Sequence, residues 1–201
     1  MAQGSARYER SAAGMAGAMI VTLLVILAFV AFRALNRDDL DVQPDSVDYL
    51  QVVQGLQSGG GLEPAYPAKL PKGWQATRAV YDTQNLAWEL DLLTADKRYV
   101  GIRQADLRDK DLIAKYVDDQ GKQGGPVSFD HTAVATEWTS WDVDGDDRAY
   151  TAPLGMQRGD EPNPQLERGK GTTLLVFGSA PKKDIEKVID ELVLDPLKPT
   201  S

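Results

Sequence analysis

The chain has 201 residues, one histidine and no cysteine, with 30 acidic against 22 basic side chains and a net charge of −8. The missing cysteine excludes disulfides, thiol catalysis and thiolate metal centres, and one histidine excludes a multi-histidine metal site within the chain. The acidic balance argues against nucleic-acid binding, because counterion release requires clustered basic side chains.

Ser11 to Phe32 contains no Asp, Glu, Lys or Arg and lies between Arg10 and Arg33. As a helix it spans roughly 33 Å, against about 30 Å for a bilayer core. From Ile20 to Phe32 it is apolar all round, with Thr22 the only polar residue, which disfavours a buried soluble helix. The run is longer than the core of a signal peptide, and Ala31-Phe32-Arg33-Ala34 is a poor small-x-small cleavage site. It therefore reads as an uncleaved transmembrane anchor over 11–33, behind a short tail at 1–10. Arg7 and Arg10 before it balance Arg33 and Arg37 after it, so the positive-inside rule does not choose an orientation. A short tail kept inside, with the large domain exported, is the preferred arrangement. Near the helix start, Ala13/Gly17 and Gly14/Ala18 have the small-xxx-small spacing used in helix contacts.

Residues 34–63 read as an acidic linker followed by an amphipathic helix. Ser46 is the expected cap, Tyr49, Val52, Val53 and Leu56 the apolar face, and Gly59-Gly60-Gly61 the stop. Residues 64–196 read as a globular α+β domain, and 197–201 as a tail. After a proline-rich approach to Trp74, Gln75 to Tyr81 is a candidate strand. Leu86, Trp88, Leu90 and Leu92 then alternate with Ala87, Glu89 and Asp91, the clearest period of two. Tyr99 to Ala105 returns as the second arm of a hairpin. A helix capped by Asp109 or Asp111, with Leu112, Ile113, Tyr116 and Val117 inward, stops by Gly121. Gly124-Gly125-Pro126 reads as a loop, Val127 to Trp141 as one or two strands, Arg148 to Ala152 as a return strand, and 153–170 as a mobile loop. Thr172 to Gly178 is an apolar, central strand. Lys182 to Leu192 is a helix with Ile185, Val188, Ile189 and Leu192 on one face. Hairpins with flanking helices, rather than regular βαβ units, predict an antiparallel sheet.

Several of these features occur together: the Val47-Asp48-Tyr49 helix, the run from Tyr66-Pro67 to Leu70-Pro71-Lys72-Gly73-Trp74, the Trp141 strand, and Thr172 to Ala180 leading into the last helix. In this order, behind an N-terminal anchor, they resemble the actinobacterial single-pass membrane proteins grouped as domain of unknown function 4245, over about residues 10–195. The resemblance implies an envelope protein of high-GC Gram-positive bacteria with its domain outside the membrane. It brings no activity, cofactor or catalytic residue.

The strongest chemical candidate is Asp142-Val-Asp144-Gly145-Asp146-Asp147. Asp142, Asp144 and Asp146 match the alternating oxygen ligands of a calcium loop, but Asp147 stands where such a loop has glycine and Pro153 where it has its bidentate glutamate. The alternative is a polar hairpin turn on Asp144-Gly145. Trp141 and Tyr150, with Trp138 nearby, are candidate rings for binding a sugar. Trp138 and Trp141, three apart in one strand, face opposite sides. His131 near Ser128 and Asp130 makes no strand-borne triad, no G-x-S-x-G elbow is present, and Gly121-Lys-Gln-Gly-Gly-Pro lacks the Gly-Lys-Ser/Thr ending of a phosphate loop. The preferred reading is a membrane-anchored, non-enzymatic envelope domain that binds a protein partner or wall component, without nucleic acid and with no cofactor unless calcium sits at 142–146. The alternative is a carboxylate-dependent hydrolase acting on envelope polysaccharide.

Overall fold

The computed structural model describes residues 12–35, 45–59, 62–129, 132–135, 137–154 and 171–197. The chain divides into two units, Met1–Gln43 and Pro44–Ser201. The first contains α1 (Ala12–Leu35), whose last turn carries Arg33. Within it Met15–Arg33 is long and apolar enough to cross a membrane, and its side chains are exposed, Leu24 and Phe29 by 59% and 63%. The Thr22 hydroxyl donates to the Ala18 carbonyl (2.9 Å), so the one polar side chain of its apolar stretch is satisfied within the helix.

The second unit opens with α2 (Tyr49–Ser58). Asp48, not Ser46, caps it: the Asp48 carboxylate accepts from the amides of Leu50 and Gln51. Gly59 ends it, as the glycine run predicts. Of its expected apolar face, Tyr49 and Val53 are buried in the main core of this unit and Val52 and Leu56 pack against it. Two strands, β1 (Tyr66–Pro67) and β9 (Leu192–Val193), form a small separate sheet. Seven more form one antiparallel sheet: β2 (Gln75–Asp82), β3 (Ala87–Leu93), β4 (Tyr99–Ala105), β5 (Lys122–Val127), β6 (Trp138–Asp142), β7 (Arg148–Pro153) and β8 (Thr173–Gly178). Their order is β2-β3-β4-β8-β7-β6-β5, so the apolar Thr173–Gly178 strand is central, and the expected α+β class holds. The remaining helices among the described residues are α3 (Asp109–Tyr116) and α4 (Lys182–Asp190).

Some boundaries differ from expectation. Gly124-Gly125-Pro126 lies inside edge strand β5 rather than in a loop; a bulge between Gln123 and Pro126 absorbs the irregularity, and an edge tolerates a proline that donates nothing. Leu86 leaves the apolar row of β3: it sits in the β2–β3 turn at φ 49° and is 62% exposed. Asp109 and Asp111 occupy the first turn of α3 without capping it, their charge favouring the helix N-terminus. The last helix ends at Asp190, and Leu192 enters β9 instead.

The central strands of the sheet are buried on both faces. On one, α2 and α4 bring Val53, Ile185, Val188 and Ile189 against Trp88, Leu90, Leu92, Val100, Ile102, Leu174 and Val176. Burial of each such side chain stabilises the fold by about 1.5–3 kcal/mol. On the other face, α3 brings Leu112 and Ile113 against Trp141, Ala149, Leu175 and Phe177. Period-two alternation in β3 and β4 thus feeds two cores rather than one core and a wet face.

Candidate functional site

The second face carries charge. Arg78 on β2, Glu89 and Asp91 on β3, and Arg103 on β4 come together beside the α3 cluster. Cross-strand register does this directly, since Asp91 stands opposite Arg78 and Glu89 opposite Arg103. The Arg78 guanidinium donates to Glu89 Oε2 and lies 4.0 Å from Asp91 Oδ2. Arg103 Nη2 is 2.7 Å from Asp91 Oδ1, and Arg103 Nη1 donates to the carbonyls of Leu90 and Ile102. Two phenols complete the group. The Tyr99 hydroxyl donates to Asp91 Oδ1 (2.8 Å) and accepts from Arg103 Nη2 (3.1 Å), while the Tyr116 hydroxyl donates to Glu89 Oε1 (3.1 Å).

Arg103 is 5% exposed. The rings of Tyr116 and Phe177 each lie 5.4 Å from its Cζ, an arrangement that favours a cation on aromatic faces. Gly101 leaves room for the assembly; a Cβ there would lie 2.5 Å from the Tyr99 hydroxyl and 2.6 Å from the Phe177 ring. Burial opposes the Arg103 charge, but Tyr99, Asp91 and Glu89 outweigh it, and the guanidinium is held above its ordinary pKa. Burial pushes Tyr116 up to about 12, helped by the Glu89 carboxylate, and also raises Tyr99. Arg103 Nε is buried without a partner. Both carboxylates are engaged by these partners, so the cluster holds β2, β3, β4 and α3 together electrostatically.

A second polar chain runs through the same face. Trp141 Nε1 donates to Thr151 Oγ1 (2.9 Å), and the Thr151 hydroxyl donates to Asp109 Oδ2 (2.9 Å) at the start of α3. Asp109 also lines a shallow cleft with Asp106, Arg108, Asp111 and Thr173. The polar groups of that cleft largely satisfy one another: Arg108 pairs with Asp111 at 2.9 Å, and the Thr173 hydroxyl donates to the Leu107 carbonyl at 2.6 Å.

The residues singled out from sequence fall as follows. Trp138 and Trp141 do point to opposite faces, but both are buried, one in each core. Tyr150 is buried on the Trp138 side, in edge-to-face contact with Phe129. Trp141 and Tyr150 are therefore separated by the sheet and form no common platform. Asp142 ends β6, and Asp144 and Asp146 lie exposed in the β6–β7 turn, where Gly145 adopts φ +76°. The Asp144 amide donates to Asp118 Oδ2 (3.1 Å). Among the described residues, no three acidic or histidine side chains gather closely enough to hold a metal ion. Asp130, His131 and residues 155–170 lie outside the described residues. Sequence reasoning missed the Arg78–Arg103 cluster. The signal was present as two arginines flanking Glu89-x-Asp91 in consecutive strands, but it needs the register to become legible.

The fold and this cluster define an acidic α+β domain following an apolar helix. The chain belongs to the family described as protein of unknown function (DUF4245), whose model matches residues 7–192. No curated protein and no solved structure matches it.

Proposed function

We propose that the protein is a single-pass membrane protein of the cell envelope, with α1 an uncleaved anchor, the N-terminal tail inside and the Pro44–Ser201 unit outside. In this reading the unit is a non-enzymatic accessory module that binds an envelope protein or wall component. The observation that carries it is Met15–Arg33, an apolar helix whose side chains are all exposed. Leaving the large apolar side chains from Ile20 to Phe32 in water costs on the order of 20 kcal/mol, which a bilayer removes. The net negative charge of the second unit opposes close contact with anionic lipid, which suits a domain held off the surface on a tether. The engaged state of Glu89 and Asp91 supports a binding role over hydrolysis.

Two steps test the proposal. Alkaline carbonate washing of membranes should leave the full-length chain in the pellet; release into the supernatant would remove the anchor. Crosslinking in intact cells followed by mass spectrometry should then capture one stoichiometric envelope protein, or the chain should stay on isolated cell wall. Absence of both a captured partner and wall retention would remove the accessory role.

A further inference from the structure

From the way α3 is fastened, we infer that it is a hinged cover that opens as a unit while the sheet and the main core stay closed. Its apolar hold is slight. Only Leu112 and Ile113 are buried in its two turns, whereas α4 buries Ile185, Val188 and Ile189 in the much larger cluster on the opposite face. No side chain caps its start, where the Arg108 carbonyl receives the amides of Asp111 and Leu112.

Leu107, Tyr116 and Val117 add partly buried contact at its flanks, and the polar attachment sits at the two ends. Asp109 takes the Thr151 hydroxyl at the first turn, and Tyr116 reaches Glu89 from the last. Polar latches exchange for water at little net cost, unlike buried apolar surface. One buried group beneath α3 offsets part of the cost of opening. With α3 closed, Arg103 Nε has no partner and the guanidinium is hemmed in by the Tyr116 and Phe177 rings. Withdrawal of Tyr116 lets water reach Arg103 and Glu89, while the Arg103 contacts to Asp91, Tyr99, Leu90 and Ile102, all within the sheet, persist. Opening therefore hydrates Arg103 Nε, at the cost of the Tyr116 contacts, at the same moment that it bares Leu175, Phe177 and Trp141. The two states present different surfaces on one face, one closed and the other apolar with a charged border.

Hydrogen exchange of the full-length protein in detergent micelles, read by mass spectrometry, tests this. The amides of 113–117 should exchange at least ~100-fold faster than those of Ile102 and Val176 in the sheet. Tyr116→Phe, which removes only the hydroxyl latch, should speed α3 a further ~3- to 10-fold and leave the Ile102 and Val176 amides unchanged. Asp109→Ala, which removes the other latch from the helix side and keeps Thr151 as the acceptor of Trp141 Nε1, should do the same. Exchange of α3 in step with the sheet would overturn the inference. So would variants that accelerate helix and sheet equally, or that leave α3 unchanged.

Discussion

Replacing Arg103 by methionine tests whether the charged cluster holds the sheet together. Methionine keeps most of the side-chain volume between Tyr116 and Phe177 and removes the charge. Breaking a buried ion pair by deleting one partner costs about 3–5 kcal/mol. Two features of the site reduce that figure. The Asp91 side chain is 16% exposed and keeps the Tyr99 hydroxyl, with Arg78 at 4.0 Å. The buried, unpartnered Arg103 Nε also disappears, recovering about 1 kcal/mol of desolvation. The expected loss is therefore about 2–4 kcal/mol, or roughly 10 °C in melting temperature for a unit of this size. All four tryptophans lie in Pro44–Ser201, so urea unfolding of the full chain followed by tryptophan fluorescence reports that unit alone. Asp91→Asn added to Arg103→Met removes the stranded carboxylate charge and should restore more than half of the loss. A single variant within about 0.5 kcal/mol of the parent would refute the reasoning by showing the cluster to be screened like a surface pair. A double variant less stable than the single one would do so too.

Other consequences concern the same framework. Gln104 is fully buried; its Oε1 accepts from the Ala65 amide (2.7 Å) and its Nε2 donates to the Glu63 carbonyl and Thr172 Oγ1 (3.1 Å each). Gln104→Leu should cost about 2–4 kcal/mol in urea unfolding and release the Ala65 amide to exchange. Gly178 adopts φ +148°, and a Cβ there would run into the Tyr99 carbonyl of the neighbouring strand; Gly178→Ala should destabilise by about 2–4 kcal/mol in the same assay. Burial raises Tyr49 and Tyr116 to about 12 from the ordinary 10.0. Because these folded-state values lie above the unfolded one, their contribution to stability is complete below pH 10 and is lost as pH rises from 10 to 12. Ultraviolet titration should show a phenolate step near 10 and a later one near 12. A single step near 10 with the fold intact would contradict this.

How legible the chain was depended on the range of the interaction. The Tyr99–Ala105 strand, the apolar stripe at Ile185, Val188 and Ile189, and the central place of Thr173–Gly178 follow from local periodicity, and the structure has them where the pattern put them. Leu86 continues the alternation of Trp88, Leu90 and Leu92, but turn geometry overrides it. Trp141 and Tyr150 read as candidate sugar-binding rings because aspartates neighbour them; the second core under α3, which buries Trp141, depends on packing that no local pattern announces. The cluster of Arg78, Glu89, Asp91 and Arg103 was hidden for a related reason. Alternating charge in a strand ordinarily marks a solvated face, and only register across three strands turns it into buried pairs.

The most direct test of the proposed topology is protease treatment of cells that express the full-length chain, after the wall has been removed and the membrane left intact. The account predicts loss of the Pro44–Ser201 unit with a protected fragment containing α1. Full protection of the unit until the membrane is broken would place it in the cytoplasm and contradict an envelope role.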